Sequence, residues 1–249
     1  VEAEPLYQEA LAINKAALHA LHPDIAIVLN SLATLYIDQN RFECAEPLLE
    51  EALGICKATL PQRHQEIAKV LSSLAILYTN QNRLEDAEPL LEEALAINKS
   101  VLPAGDRFIT SNLNNLAYLY KKKNRLTEAE PLFKEVLAIK KTALPVNHPA
   151  VAISLNNLAD LYQAQNRLPE AGPLFEEALR INKAALPAEH PVLASSLNNL
   201  AMHYRLQNRL SEAEPLYKEA LAITKTSRSQ DHPEIVQTLI NLATLYKLQ

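Results

Sequence analysis

Apolar residues along this chain fall into two helical patterns that alternate and repeat every 42 residues. In the first, Ile25, Leu29, Leu32, Ala33, Leu35 and Tyr36 keep the spacing of one helix face. Its Leu-Ala pair, with a Tyr three residues after the Ala, returns at Leu74/Ala75/Tyr78, Leu116/Ala117/Tyr120, Leu158/Ala159/Tyr162, Leu200/Ala201/Tyr204 and Leu242/Ala243/Tyr246. The second opens on Ala-x-Pro-Leu, beginning at Ala3, Ala45, Ala87, Ala129, Ala171 and Ala213, and runs on through positions such as Leu53, Ile55 and Leu60. Neither ladder slips by a residue. A fixed period of about 20–50 residues marks a solenoid or an array, in which each unit buries its apolar face only against its neighbours.

The polar and special residues punctuate the same ladders. His-Pro stands before the first pattern at His22-Pro23, His148-Pro149, His190-Pro191 and His232-Pro233, and Pro suits the first position of a helix. Asn40, Asn82, Asn124, Asn166 and Asn208 close the first helix, where a left-handed residue is wanted and the chain spends none of its three glycines. The second helix is expected to start near Glu43, Glu85, Thr127, Pro169 and Ser211, with capping boxes at Thr127/Glu130 and Ser211/Glu214. Pro47 and Pro131 should then lie in its first turn, and the helix should break at Pro61, Pro103, Pro145 and Pro187. The pattern predicts an all-α solenoid of about twelve antiparallel helices forming one domain over 1–249, opening on a second helix and closing on a first.

Composition narrows the function. A formal charge of −5 argues against a general nucleic-acid or membrane-surface binder. No apolar run approaches the ~18 residues of a membrane span, and the first residues carry no secretory signal. Cys44 and Cys56, twelve residues apart on one expected helix, would be ~18 Å apart, against the ~7 Å limit of a disulfide. Two free thiols suit a reducing compartment, and the expected location is cytoplasmic.

The fixed small residues Ala33, Ala45 and Ala52, with a Tyr closing the first helix, resemble the tetratricopeptide repeat. The 42-residue unit, with strings such as HPxVAxSLNN and LNNLAxLYxxQNRLxEAEPLxxEAL, is similar to the repeats of kinesin light chains and of light-chain-like bacterial proteins. The copies are unusually alike, as in recently duplicated bacterial arrays. Asn stands where kinesin light chains mostly carry Gly, and no coiled-coil segment is present, so a role in microtubule transport is not expected. The resemblance implies a right-handed superhelix of helical hairpins, first helices lining a concave groove that takes extended peptides of partner proteins.

No motif for a nucleophile and base, a P-loop, a zincin site or a Gly-rich phosphate loop appears, so neither catalysis nor a cofactor is expected. The His ladder (His22, His64, His148, His190, His232, with Asp106 in the third place) spaces its members at least ~10 Å apart, too far to share a metal ion. These residues read as helix starts. His203, standing where the other copies carry Leu, reads as a partly buried histidine. Of the 29 acids, 21 fall on second helices, where pairs such as Glu50/Glu51 and Glu92/Glu93 read as a solvated outer face.

If Leu32, Ala33 and Tyr36 point inward, the groove is faced by residues two and one before the Leu, and two, five and six after it. The first pair reads Asn114/Asn115, Asn156/Asn157 and Asn198/Asn199, with Asn241 in the last copy. Asn is a poor helix former, and its amide matches the N–H and C=O of an extended peptide. The later positions supply Tyr118, Asp160, Met202, Lys121, Gln163, Arg205 and Lys122, and Lys69 joins them. First helices carry Lys69, Lys121, Lys122, Lys123, Arg205 and Lys247 against chiefly Asp38 and Asp160, which would steer an acidic ligand with apolar anchors near Tyr118 and Met202. The expected partner is therefore an acidic extended peptide. A competing expectation is a scaffold that stacks head-to-tail through uncapped end helices: Leu6, Ala10, Leu11 and Ile13 at one end, Leu239, Leu242 and Leu245 at the other.

Overall fold

The computed structural model describes residues 3–228 and 232–248, so the outer bounds of the domain expected over 1–249 lie outside the described residues. The described residues form twelve α-helices, with no strand among them. They divide between two compact units, Val1–Arg125 and Leu126–Gln249. The first unit holds α1 (Ala3–Ala17), α2 (Pro23–Asp38), α3 (Phe42–Thr59), α4 (Gln65–Asn80), α5 (Leu84–Val101) and α6 (Arg107–Lys122). The second holds α7 (Leu126–Ala143), α8 (Pro149–Ala164), α9 (Leu168–Ala185), α10 (Pro191–Leu206), α11 (Leu210–Ser227) and α12 (Pro233–Leu248).

Of the first helices (even-numbered), α2, α4, α8 and α10 pack on the second helix that follows, and successive first helices of a unit also touch: α2 with α4, α4 with α6, α8 with α10, α10 with α12. The core is the repeated set of apolar positions, with Leu29, Ala33, Ala45, Leu49 and Ala52 all fully buried in one copy. Small Ala residues at 33 and 45 let neighbouring backbones approach closely.

The His ladder is a ladder of helix caps. Nδ1 of His22, His64, His148, His190 and His232 accepts the backbone N–H two residues on, at 3.1–3.3 Å. The Asp106 carboxylate accepts the Phe108 N–H at 2.7 Å in the third copy. Each cap satisfies one N–H that has no partner inside its helix.

The turn asparagines are left-handed as expected, with φ between 57° and 62° at all five. The residue after each donates its N–H five residues back in the Schellman pattern: Arg41 to the Tyr36 carbonyl at 2.8 Å, Arg83 to Tyr78 at 2.8 Å, Arg209 to Tyr204 at 2.9 Å. That arginine then folds over the same tyrosine, its guanidinium carbon 3.8–4.2 Å from the ring centre in every copy. It also reaches a glutamate on the second helix of the preceding repeat: Arg41–Glu4 at 2.8 Å, Arg83–Glu46 at 2.6 Å, Arg125–Glu88 at 2.5 Å, Arg167–Glu130 at 2.7 Å. Burial alone would raise the Glu130 pKa, but hydrogen bonds from Lys134, Arg167 and Gln165 outweigh it and hold the carboxyl down at about 2. Turn, ring and carboxylate together make a latch between repeats.

On the other side a second ladder joins successive second helices, Lys15 to Glu51 at 2.7 Å, Lys141 to Glu177 at 3.1 Å and Lys183 to Glu219 at 2.8 Å. The acid pairs thus lie on an exposed face, as the sequence suggests.

Three details differ from expectation. The second helices start one residue earlier, at Phe42, Leu84, Leu126, Leu168 and Leu210. The caps of four of them are Arg41, Arg83, Arg167 and Arg209, without side-chain hydrogen bonds, so Thr127 and Ser211 sit inside the first turn and form no capping box. The Arg backbone itself nucleates these helices: its carbonyl accepts the N–H four residues on, as Arg167 does from Ala171 at 3.2 Å. Pro47 and Pro131, each the sixth residue of its helix, therefore lie in the second turn, where one interior hydrogen bond is forgone.

Cys44 (exposed) and Cys56 (buried) are both free and both on α3. Burial, with the nearby Glu66 charge, pushes the Cys56 thiol up to about 11.

Candidate functional site

The six copies keep key packing residues of the first helix fixed and vary along one stripe of the same helix, as they also do in the links between repeats. Leu32, Ala33 and Tyr36 keep their identity in every copy, whereas the position two residues after the Leu reads Thr34, Ile76, Tyr118, Asp160, Met202 and Thr244. The position five after it reads Ile37, Thr79, Lys121, Gln163, Arg205 and Lys247. Packing positions cannot vary without cost in a core of this density, whereas a surface that meets a ligand can.

Two clefts open on this stripe. In the first unit Ile76, Thr79 and Asn80 of α4 face Asn115 and Tyr118 of α6 across about 200 Å³, with Leu91 of α5 as the floor. Ile76 is 38% and Tyr118 49% exposed. Lys122 rims the cleft, its Nζ 5.5 Å from the Tyr118 ring and donating to the Thr79 carbonyl at 3.4 Å. In the second unit Ser195, Asn198, Asn199 and Met202 of α10 face Glu234, Gln237, Thr238 and Asn241 of α12 across about 340 Å³. Apolar groups with polar rims dominate the first cleft and amides the second.

The Asn pairs divide into two roles. Oδ1 of Asn114, Asn156 and Asn198 is shielded from solvent and lacks a hydrogen-bond partner, and the Asn198 amide nitrogen donates to Thr238 Oγ1 at 3.0 Å. The Asn198 amide thus bridges α10 and α12 while also lining their cleft. The second member of each pair stands on the stripe: Asn115 and Asn199 line the clefts, and Asn157 is part-exposed at the equivalent place on α8. Asp160 also stands part-exposed on α8, and Gln163 there has a shielded, unpartnered Oε1.

The basic residues separate as well. Lys69 pairs with Glu66 at 2.7 Å and lies 5.2 Å over the Phe108 ring, so its charge is partly offset. Lys123 does not join the groove: its ammonium contacts Glu85 and Glu88 of α5, both at 2.6 Å, because the side chain leaves the turn toward the second-helix layer. Lys121 is part-exposed on α6. Arg205, on α10, has a shielded Nε without a hydrogen-bond partner.

His203 is fully buried, not partly. It lies 5.6 Å from the Phe175 ring, with Nε2 3.0 Å from the Gln207 amide nitrogen and Nδ1 unpartnered. Gly172 makes the room, since a Cβ there would lie 3.0 Å from His203 Nε2. That glycine stands where the other copies carry the latch glutamate, and Arg209 accordingly pairs within its own helix, with Glu212 at 2.6 Å. The sequence signals were present, an Arg five residues after each Tyr and one Gly among the Ala-Glu-Pro-Leu strings, but they carry meaning only once the helices are placed.

Among the described residues no cluster of three or more His, Cys, Asp or Glu is placed to hold a metal ion, and no helix is long and apolar enough to cross a membrane.

Tetratricopeptide repeat models match residues 1–58, 107–184, 150–226 and 192–249, and a second model of the same repeat matches 67–106. No curated protein sequence matches the chain. Among solved structures, the nearly identical TPR-like repeats of a Podosopora anserina protein assigned as a kinesin light chain are 30% identical, covering 84% of this chain and 99% of that one, with a TM-score of 0.72. BtubC (BKLC) from P. vanneervenii has the same fold at 22% identity, covering 91% and 90%, with a TM-score of 0.73. YrrB, a TPR protein described as having an unusual peptide-binding site, is 15% identical over 94% and 97%, with a TM-score of 0.50.

Proposed function

Because the chain belongs to the tetratricopeptide repeat family, in its 42-residue kinesin-light-chain-like form, we propose that it is a non-catalytic protein-interaction module whose first-helix face binds an extended peptide. The observation that carries this is the coincidence of sequence variation with open clefts. The stripe through Ile76, Tyr118 and Met202 diverges between copies whose packing residues stay fixed, and two clefts lie on it; a larger one, of about 520 Å³, lies apart from it against Lys57, Glu93 and Ile97 of the second helices. In the first unit Asn115 offers an amide to a peptide backbone and Tyr118 with Ile76 an apolar seat for one anchoring side chain; in the second unit Asn157 and Asn199 offer the amides. A TPR neighbour with a peptide-binding site supports the same class of ligand.

The charge of the stripe favours an acidic segment. Lys121, Lys122, Arg205 and Lys247 stand on first helices of a chain whose net charge is −5. Opposing charges there include Asp160 and Glu234, so the preference rests on steering by the basic residues. Display of random peptides against the purified chain, at low and at physiological salt, tests both parts. Acidic sequences with one apolar anchor should be enriched, and binding should fall when Asn157 and Asn199 become Ala. Lys121→Gln, Lys122→Gln and Arg205→Gln together should weaken binding and flatten its salt dependence. Unchanged affinity and salt dependence would remove the acidic preference.

A second reading follows from the outermost helices. None of α1's residues is buried, Leu6 and Ile13 being 66% and 58% exposed, and Leu239, Ile240 and Tyr246 of α12 are 45–53% exposed. A neighbouring repeat, in the same chain or in a second copy, would cover such faces. Light scattering that grows with concentration, and is abolished by Leu239→Glu, would favour stacking of copies; a constant mass would leave the peptide reading alone.

A further inference from the structure

The cavity of about 520 Å³ in the first unit is enclosed by Lys57 of α3, Arg63 of the link that follows, Ile67 of α4, and Glu93, Ala96 and Ile97 of α5. Ile67 and Ile97 are buried and form an apolar floor, whereas Lys57 and Arg63 are exposed. Comparison of the copies shows why it is open. Along the second helices the position of Ala96 reads Gly54, Ala96, Ala138, Arg180 and Ala222. Along the links the position of Arg63 reads Leu21, Arg63, Gly105, Asn147, Glu189 and Asp231. In the second unit the long side chain stands on the helix: Arg180 of α9 donates from Nη1 to Asn147 Oδ1 of the α7–α8 link at 3.3 Å, across the equivalent place. In the first unit the arginine stands on the link instead and shares the cavity with Ala96, which has no acceptor to give it. Arg63 accordingly makes no hydrogen bond or ion pair among the described residues. Lys57 is loosely held as well, 3.5 Å from Glu93 where its counterparts in the ladder close to 2.7–3.1 Å.

We propose that this cavity binds a small monoanionic carboxylate with a short apolar body. The Arg63 guanidinium takes the carboxylate with its planar fork, and Lys57 adds a second cation. The body rests on Ile67 and Ile97, which gives the apolar part its share of the affinity. Lys57 and Arg63 against Glu93 leave one positive charge, which suits a monoanion, and Glu93 repels a dianion such as phosphate. No residue of the variable first-helix stripe enters the cavity, so the site stands independently of peptide binding.

Titration of the isotope-labelled chain with hexanoate, read through its backbone amide shifts, tests this. Shifts at Arg63, Ala96 and Ile97 should saturate with a Kd on the order of 1 mM, the scale open to so small a ligand. Hexanamide keeps the body without the charge, acetate the charge without the body, and each should bind about tenfold more weakly. Inorganic phosphate should move these amides little. Arg63→Gln removes a side chain that has no partner in the fold, so the melting temperature should stay native while hexanoate binding weakens about tenfold. Arg63→Asn combined with Ala96→Arg transplants the pair of the second unit, which already fits one copy, and should abolish binding in a folded chain. Hexanoate that shifts none of these amides, or binds Arg63→Gln and the native chain alike, would overturn the site. Acetate or phosphate that matches hexanoate would overturn its assignment to an amphipathic carboxylate. Peptide binding at the first-helix face should be unchanged in both variants.

Discussion

At the scale of single residues, the array is held in register by side chains outside the usual roles. Histidine is not a preferred cap, yet five of them cap first helices through Nδ1, and Asp106 does so in the one copy where His is absent. This could be read from sequence only as a helix start, because the cap depends on a tautomer and a ring angle. His190→Ala should cost about 1 kcal/mol by removing an acceptor from the Val192 N–H, whereas His190→Asp should be neutral or stabilising, following Asp106. Urea denaturation of the two variants beside the parent decides this, and equal midpoints would mean the His caps are ornamental. The turn asparagines were legible for the opposite reason: few residues tolerate the left-handed region, and the spacing allowed nothing else. Asn166, at φ 58°, should gain stability on replacement by Gly and lose about 1 kcal/mol on replacement by Ala, measured in the same way.

At the scale of helices, the joint between α9 and α10 departs from the rest. Elsewhere the Tyr–Arg–Glu latch crosses between repeats, but here Gly172 has no carboxylate to offer and His203 fills the space. Either replacement alone would fail: a Cβ at 172 meets the imidazole at 3.0 Å, and Gly172 beside a Leu would leave the space unfilled. Gly172→Glu should therefore destabilise in the native background and stabilise when combined with His203→Leu, a non-additivity that a double-mutant cycle measures. Acid should act on the same joint. Burial lowers the His203 pKa, and the Arg209 charge lowers it further, against a smaller upward pull from Glu176; Tyr204 and Gln207 face the ring from its own helix. The folded chain thus binds this proton less readily than the unfolded one. Its contribution is present above the unfolded value of about 6.5 and is lost as pH falls below it through the lower folded value. The loss of stability between pH 7 and pH 5 should be smaller in the Gly172→Glu/His203→Leu variant than in the parent, and identical losses would exclude His203 as the cause. The helices themselves were legible because each apolar pattern is repeated six times. Their contacts were not, since a fully buried histidine and a missing glutamate look like ordinary drift until they are seen to touch.

At the scale of the molecule, each repeat is stabilised by its nearest neighbours, so stability should respond locally to what covers a helix face. The groove positions illustrate what sequence can and cannot supply at this scale. Register alone placed Asn115, Tyr118, Asn199 and Met202 on the stripe where the clefts lie, but it did not show that Asn114, Asn156 and Asn198, one residue earlier, have their side-chain oxygens shielded from solvent, Asn198 while it also lines its cleft. One residue is about 100° of a helix, too small a step for pattern to resolve. The uncovered face of α12 gives the direct test of nearest-neighbour stabilisation. Leu239 and Tyr246 are 45% and 46% exposed, whereas their counterparts Leu29 and Tyr36 are 0% and 6% exposed beneath α3. Gln249 corresponds to Gln207, so a copy of residues 208–227 appended after it continues the repeat with its own Asn-Arg turn and second helix. The added arginine falls where the latch would meet Glu214, which now accepts the Tyr246 hydroxyl at 3.1 Å. Covering two large side chains at about 1.5–3 kcal/mol for full burial should raise the melting temperature and slow amide exchange in α12. The effect should decline from α12 through α11 to α10, since the added helix touches only its neighbours. Exchange slowed equally in all the helices of the second unit would show instead that the unit unfolds as one body, and that its stability is not a sum over repeats.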